Sequence, residues 1–339
     1  MSDEARNRHR IPSLLAASLA AGAVSALLYL SVAASFAFLL PVQVAFGRRG
    51  RKAGMAAAAA AVLATFLGHL ARAASSGALA GPGGLGGLDL LSLVLPPAVL
   101  LSALCLMNAS FWEGRPKVLA GLAAVALCSL AAVPAIAAVG GDTGYRAYLE
   151  ERLGAIFAPL LAQAGEGYEA SALRASLEPK ALVEQSLAVI RSTFAAFLYA
   201  LLGASRWLGN RLSGPGTPGR EASGPLAEYR LPYALVWPFL AAWTGVLAAR
   251  YLAAPPALQA LSWNLALVFS LAYAVQGIGI ASHLMKRWNL PRSLRIALAA
   301  TALLVVATPP AGTAAAAILP LLGVTEVWIP YRNLKGVGA

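Results

Sequence analysis

The chain has 339 residues, of which 59% are hydrophobic and only 12% are charged. Soluble globular domains carry about 25% charged residues, so this chain has too little polar surface to cover itself in water. The formal net charge of +12 is typical of nucleic-acid-binding proteins. The basic residues, however, lie in short segments beside apolar blocks. That placement indicates the orientation of membrane-spanning segments and argues against nucleic acid as a partner.

Apolar residues come in blocks of roughly 15 to 25, and a helix needs about 20 of them to cross the hydrocarbon core of a membrane. In that core every backbone polar group must be paired within the protein, as it is in a helix. We therefore predict an all-α fold, a polytopic transmembrane helix bundle of about ten helices, with a range of about eight to ten. The predicted location is the cell membrane, as a multi-pass inner-membrane protein surrounded by the lipid bilayer.

The N-terminal part consists of a basic cytoplasmic tail, residues 1–10, and a membrane half, residues 11–139, that predicts about five helices. Its first block, residues 11–46, is long enough for two helices with a break near Ser31 to Ser35. Apolar residues resume directly after this break, so we expect the segment to be retained and not cleaved as a signal peptide. Three further helices are predicted at residues 54–71, 89–109 and 117–139, with a glycine-rich linker at residues 77–88.

The middle of the chain changes character. Residues 140–184 carry acidic and basic side chains dispersed among apolar ones, which is typical of an amphipathic helical segment outside the membrane or on its surface. Residues 185–211 predict one transmembrane helix. Residues 212–230 are rich in Gly, Pro and Ser and predict a cytoplasmic linker between two halves of the protein.

The C-terminal membrane half is residues 231–329, and a cytoplasmic tail, residues 330–339, follows it. The last two apolar segments of this half are short and bounded by proline, so they predict either two crossings or a re-entrant pair. The apolar segments of the half are residues 231–252, 257–285, 295–308 and 313–329.

The basic residues orient the predicted bundle. With a cytoplasmic N-terminus, most of the 26 lysines and arginines fall in cytoplasmic segments, as the positive-inside bias requires. The densest group is the loop at residues 48–52. We therefore expect both termini to be cytoplasmic.

The sequence carries no enzyme constellation. His9, His69 and His283 form no HExxH pattern, and there is no GxSxG elbow and no Walker loop. Cys105 and Cys128 lie inside apolar blocks without metal-ligand spacing, so we interpret them as packing residues. We predict no enzymatic activity, no metal site and no cofactor.

Polar residues inside apolar blocks are informative because burying them without partners is costly. Asn264 and Gln276 are the clearest examples, and they fall in one predicted helix, about 120° apart around its axis. One interpretation is that both side chains form hydrogen bonds between helices. The other is that they contact a substrate in a cavity, together with His283 near the end of the same helix. The sequence leaves both alternatives open.

The C-terminal segment places Glu326 six residues before Arg332. One interpretation is a local ion pair, with Trp328 and Tyr331 as anchors at the membrane interface. The other is a carboxylate that takes part in proton movement or contacts a partner.

The first predicted helix carries small residues at four-residue spacing, which permits close contact between helices. Packing within the same chain is the default interpretation of this pattern. The residues assigned to it are Ala16, Ala20 and Gly22.

Four short motifs stand out in the chain. They are Leu40–Val42 with the basic stretch Arg48–Gly54, Arg230–Pro232 with Trp237, Asn264 followed by Gln276–Gly277, and Gly323–Arg332. Together these motifs resemble the YybS-like family of predicted bacterial membrane proteins, also described as domain of unknown function 2232. In that family the C-terminal element often has Asp where this chain has Glu326, which keeps the carboxylate and changes its reach.

The resemblance implies a membrane fold similar to the substrate-binding S components of energy-coupling-factor vitamin transporters. In those components an alanine-rich face of the first helix docks a transmembrane coupling subunit, and this gives Ala16 and Ala20 a second interpretation. Because the chain has no ATPase motif, ATP-driven transport would need ATPases in other chains. We therefore expect a transport-related, small-solute-binding component with an unknown ligand. The alternative is a membrane scaffold or assembly factor that binds a soluble or membrane partner.

Overall fold

The computed structural model describes residues 3–75, 87–141, 143–163, 168–214 and 226–332. These residues form α-helices, short 3₁₀ helices and connecting turns, and they contain no β-strand. The α-helices are α1 (Asp3–Leu30), α2 (Leu39–Arg49), α3 (Arg51–Ser75), α4 (Gly87–Met107), α5 (Lys117–Gly141), α6 (Thr143–Gln163), α7 (Tyr168–Ser176), α8 (Pro179–Leu212), α9 (Val236–Tyr251), α10 (Pro256–Arg287), α11 (Arg292–Val306) and α12 (Pro309–Thr325). The all-α prediction is therefore confirmed for the described part of the chain.

The predicted linkers and the C-terminal tail coincide largely with positions that the structure leaves undescribed. These predictions therefore lie mostly outside the described residues. The positions concerned are 76–86 in the glycine-rich linker, 215–225 in the second linker and 333–339 in the tail.

The first apolar block breaks where the sequence predicts. α1 ends at Leu30, a 3₁₀ helix follows at Val32–Ala37, and α2 starts at Leu39. α2 ends at Arg49, and the next residue, Gly50, has a φ of 82° and donates its N–H to the carbonyl of Phe46 at 3.1 Å. A positive φ is unfavourable for residues that have a Cβ atom, so glycine is the residue that fits this tight connection to α3.

Four helices of the described residues are long and apolar enough to cross a membrane, and a fifth span is possible if the bent pair α11 and α12 acts as one. α2 has 11 residues, about half of what a crossing needs. The apolar parts of α1 and α4 are also short. The prediction of about ten crossings is therefore met only in its coarse form, as a bundle with several candidate spans. The four helices are α3, α8, α10 and α5 over Lys117–Pro134.

Of the three buried apolar clusters in the described residues, two join more than two helices, and the third lies between α9 and α10. The larger joins α2, α3, α4, α5 and α8, with Leu39 and Leu202 fully buried in it. The smaller joins α9, α10 and α12 around Tyr273, which is also fully buried. α10 belongs to both, because its Val268 packs in the larger cluster and its Tyr273 in the smaller one. α10 is thus the element that connects the two parts of the bundle.

Large apolar side chains remain on the outside of the helices. Leu130 on α5 and Leu304 on α11 are 73% and 72% exposed, and leucines on α1 and α3 are also exposed. Apolar surface on this scale is unfavourable in water and is expected on helices that face lipid tails. The exposed surface therefore agrees with the composition in indicating a membrane environment.

Candidate binding site at the C-terminal junction

α10 and α12 approach closely through two glycines. A methyl group on Gly277 would overlap the carbonyl oxygen of Leu319, and one on Gly323 would overlap the carbonyl oxygen of Tyr273. Residue 277 thus lies opposite residue 319 and residue 273 opposite residue 323, so the helices run antiparallel. Small residues allow such backbone approach in membrane bundles. This contact positions the polar groups at the end of α12 against α10.

Gln276 on α10 connects three segments of the chain. Its amide nitrogen donates to the carbonyl of Gly323 at 3.0 Å and to Oε2 of Glu326 at 2.9 Å. Its amide oxygen accepts the backbone N–H of Leu231 at 2.8 Å. Gly323 belongs to the last turn of α12, where carbonyls have no partner within the helix. Gln276 therefore satisfies backbone groups that would otherwise be buried and unpaired.

Glu326 and Arg332 form a buried ion pair beside Gln276. Nε of Arg332 lies 3.0 Å from Oε1 of Glu326, and the two side chains are only 3% and 7% exposed, respectively. Nη2 of Arg332 donates to the backbone carbonyl of Gln276 at 3.4 Å. We call this cluster the C-terminal junction; its members are Leu231, Gln276, Gly323, Glu326 and Arg332.

Arg332 keeps hydrogen-bonding capacity within this cluster. Among the described residues, its Nη1 and Nε groups are buried without a hydrogen-bond partner, since Nε is close to Glu326 but not aligned with it. Burial lowers the pKa of Arg332, the carboxylate of Glu326 opposes this, and the charge of Arg230 lowers the pKa further. A second cation is therefore close enough to act on the buried guanidinium.

Gly279 makes room for the junction on α10. A methyl group at this position would lie 2.6 Å from the carbonyl oxygen of Leu226 and 3.2 Å from Nη2 of Arg332. Both the segment before α9 and the C-terminal segment therefore contact α10 at Gly279, where a side chain would keep them apart. Non-helical backbone of this kind is tolerated in a membrane bundle where the protein covers it.

Asn264 lies away from the junction, against α8. Its amide oxygen accepts the N–H of Ala195 at 2.8 Å, and its amide nitrogen donates to the carbonyls of Arg191 at 2.5 Å and Ala260 at 2.8 Å. Ala195 and Arg191 are the i and i−4 residues that pair with each other in a regular helix. Asn264 thus binds to both ends of one backbone hydrogen bond of α8. Its two N–H donors are used within the protein.

His283 is partly buried near the end of α10. Among the described residues, it has no hydrogen bond, ion pair or ring contact, so none of these interactions connects it to Asn264 or to the junction. The three residues predicted for substrate contact are therefore not gathered in one place by their hydrogen bonds.

The small residues of α1 lie on two different faces. Gly22 is buried against α3, where a methyl group would lie 2.8 Å from the carbonyl oxygen of Ala57. Ala16 and Ala20 are exposed. Gly22 thus packs within the chain, and the two alanines belong to the outer surface of α1.

A second polar cluster, which the sequence analysis missed, joins the middle of α2 to the ends of α4 and α8. Gln43 donates to Asn210 at 2.8 Å and to Asn108 at 3.3 Å, and Asn108 donates back to Gln43 at 2.9 Å. Gln43 is 1% exposed. The position of Gln43, an amide side chain inside an apolar block, could have predicted this cluster. Asn108 and Asn210 gave no such signal, because they lie at predicted helix ends, where polar residues are expected.

Basic residues gather at the same end of these helices. Arg48 donates to the carbonyl of Leu212 at 2.9 Å, which ties the end of α2 to the end of α8. The Arg115 guanidinium lies 4.0 Å from the ring centre of Phe111, and that of Arg211 lies 4.1 Å from the ring centre of Trp207. Arginines over exposed aromatic rings are typical of the membrane interface.

The described residues contain no cluster of three or more metal-ligating side chains. Cys105 and Cys128 are free thiols, the first partly buried and the second buried. Both pack in or against the larger cluster. The polar side chains of the described part of the chain thus meet in two clusters, at the C-terminal junction and around Gln43.

Helices throughout the described part of the chain, several candidate spans and an exposed apolar surface define an integral membrane protein. The particular family follows from sequence comparison: the chain belongs to the family described as predicted membrane protein, domain of unknown function 2232, whose profile matches residues 15–324. The resemblance noted from the motifs is therefore confirmed. No curated protein matches the chain, and no solved structure does so either. The similarity to S components stays a prediction.

Proposed function

We propose that this protein is a transport-related membrane component that binds a small solute at the C-terminal junction. The observation that supports this function is the buried ion pair of Glu326 and Arg332 beside Gln276. Charged residues inside a membrane bundle are costly, and they commonly mark solute or ion pathways. The ligand would contact Arg332, because its unpaired N–H groups are the free donors of the cluster.

The backbone beside the junction is partly non-helical. The residues before α9 run to Gln276 without forming an α-helix. In many secondary transporters the binding site lies where helices give way to non-helical backbone that lines a cavity. We infer the solute site at this junction from that feature. The bend between α11 and α12 lies at the opposite end of α12 and does not belong to the site.

Energy coupling, in this proposal, comes from other chains. The sequence has no Walker motif, so a coupling subunit in the membrane and separate ATPases would supply the work, as in S-component systems. The exposed face of α1 with Ala16 and Ala20 is the surface that we assign to the membrane partner. Copurification of a membrane partner that α1 substitutions abolish would support this arrangement.

Ligand binding to purified protein in nanodiscs tests the solute-binding function. A panel of neutral, cationic and anionic small solutes is screened for saturable shifts of the thermal unfolding midpoint. At least one solute should raise the midpoint, because a ligand that binds the folded state stabilises it. Arg332→Gln should remove the shift, and Arg250→Gln, which changes an exposed arginine on α9, should keep it. A panel without any saturable ligand would count against solute binding.

The proposed orientation places both termini in the cytoplasm and the protein in the inner membrane. Support comes from the basic residues at the ends of α2, α4 and α8, including Arg48 and Arg211. Alkaline phosphatase fused within residues 48–52 should be inactive if this loop is cytoplasmic. High phosphatase activity there would overturn the orientation.

The same basic end favours a second candidate function, a membrane scaffold or assembly factor. Arg49 and Lys52 lie at this end, and Lys52 is exposed. Exposed basic residues can attract an acidic soluble partner. Crosslinking in cells from the loop at residues 48–52 distinguishes the candidates, because a scaffold should capture the same acidic protein reproducibly and a solute carrier should not.

A further inference from the structure

The charges at the C-terminal junction do not cancel. Arg332 and Glu326 form an ion pair, and Arg230 adds a second positive charge that acts on Arg332. Gln276 is neutral and has both amide N–H donors engaged. The three charged groups together carry one net positive charge.

Arg332 also has the free groups that a ligand needs. Its side chain is 97% buried, since only 3% is exposed, and Nη1 has no hydrogen-bond partner among the described residues. Unpaired buried donors are rare because each one has lost its hydrogen bonds to water without a replacement. A ligand that accepts hydrogen bonds from this guanidinium would provide that replacement.

We propose that Arg332 and Arg230 bind a singly charged oxyanion, either a carboxylate or a phosphodiester, at the C-terminal junction. This inference rests on the proposed solute-binding function and names the chemical class of its ligand. A guanidinium presents N–H groups in a planar arrangement that matches the oxygens of carboxylates and phosphates. One net positive charge is neutralised by one negative charge.

Glu326 sets the selectivity in this site. Its carboxylate lies beside Nε of Arg332, so it repels an incoming anion and penalises a second negative charge on the ligand. It also occupies one side of the guanidinium, which leaves Nη1 for the ligand. Dianions such as hydrogen phosphate should therefore bind more weakly than monoanions of similar size.

Arg230 places an exposed cation next to the junction. It is exposed, and it precedes Leu231, whose N–H binds Gln276. An oxyanion arriving at Arg230 is therefore adjacent to the junction. The oxyanion can belong to a free solute or to the headgroup of a phospholipid, and both sources present the same chemistry to Arg332.

The test measures thermal unfolding of the full chain in nanodiscs of dioleoylphosphatidylcholine, a zwitterionic lipid. The soluble probes are sodium acetate and sodium dimethyl phosphate, compared with sodium chloride and sodium phosphate at equal ionic strength. Nanodiscs that contain dioleoylphosphatidylglycerol form the lipid arm. We expect saturable stabilisation by acetate, dimethyl phosphate or the anionic lipid, and less by sodium phosphate.

Three variants identify the site. Arg332→Gln should weaken binding about tenfold or more, because a hydrogen bond to a charged group contributes about 1.5–3 kcal/mol. Arg230→Gln changes an exposed residue, so it should fold normally and still weaken binding severalfold. Arg250→Gln, on the exposed surface of α9, should leave binding unchanged.

The outcomes separate this inference from the proposed function. Saturable binding of only neutral or cationic solutes would keep the function and overturn the oxyanion. Stabilisation by the anionic lipid alone, lost in Arg230→Gln, would support the oxyanion site and count against a soluble ligand. Equal stabilisation of the wild type and both Arg230→Gln and Arg332→Gln would overturn the site.

Discussion

Gln276 accepts the backbone N–H of Leu231 at 2.8 Å, although the two residues are 45 positions apart in the chain. One side chain on α10 thereby fixes the segment that leads into α9. Gln276 also binds the last turn of α12 through the carbonyl of Gly323. A single amide thus determines how three parts of the C-terminal half meet, because each would otherwise bury an unpaired polar group.

Replacing Gln276 with leucine tests this role. Gln276→Leu leaves the N–H of Leu231 and the carbonyl of Gly323 without partners, so we expect destabilisation by about 2–4 kcal/mol. The measurement is the free energy of unfolding in detergent micelles. Gln259→Leu is the matched control, since Gln259 is exposed and binds only the carbonyl of Ala254. Equal stability of the two variants would contradict the role of Gln276.

The glycine contact between α10 and α12 predicts a strong effect of one methyl group. Gly277→Ala should destabilise the protein by about 2 kcal/mol or more, because the new group overlaps the backbone of Leu319 and cannot be accommodated by a side-chain rotation. Gly203→Ala is the control. Among the described residues, no atom of another helix lies within 4 Å of a methyl group at Gly203 on α8, so that variant should be neutral or slightly stabilised. A stable Gly277→Ala protein would refute the close approach of the helices.

Asn264→Leu should cost less than Gln276→Leu. The groups that Asn264 binds on α8, the N–H of Ala195 and the carbonyl of Arg191, can pair with each other once the amide is gone. We therefore expect a loss of about 1 kcal/mol or less, comparable with other hydrogen bonds between membrane helices. Parallel unfolding curves of both variants provide the comparison. A larger loss for Asn264→Leu would indicate that α8 cannot restore its backbone bond.

Tyr273→Phe should leave stability unchanged or improve it slightly. The ring of Tyr273 packs edge to face on Phe239 with centroids 5.1 Å apart, whereas its buried hydroxyl has no hydrogen-bond partner among the described residues. Removing an unpaired buried hydroxyl removes a desolvation cost and keeps the packing. Tyr331→Phe is the comparison, because that hydroxyl binds Thr325 at 3.1 Å. A clear loss in Tyr273→Phe alone would reveal a partner for the hydroxyl.

Helix positions could be predicted well because membrane helices satisfy their own backbone groups locally. The predicted segment at residues 257–285 corresponds to α10, and the break near Ser31 to Ser35 corresponds to the 3₁₀ helix after α1. The number of crossings was harder to predict. α2 is apolar but has only 11 residues, and apolarity alone does not separate a short buried helix from a crossing.

Part of the candidate site could also be predicted. Gln276, Glu326 and Arg332 stand out as polar residues near apolar blocks, and the structure brings all three together. Asn264 stands out for the same reason but lies against α8. Sequence composition identifies a buried amide side chain, but it does not indicate which helix packs against that side chain.

The sequence by itself determined the membrane class, the helical fold and the positions of most helices, since hydrophobicity and helix length act within single segments. Only the tertiary structure decided the partners of the buried polar groups. The ion pair of Glu326 and Arg332 was predicted as a local pair and is present, but the partners of Gln276 were not predicted. Gln276 meets Leu231 and Gly323 because the glycines of α10 and α12 let the backbones approach. Such contacts depend on how distant segments pack, and no local pattern in either segment specifies them.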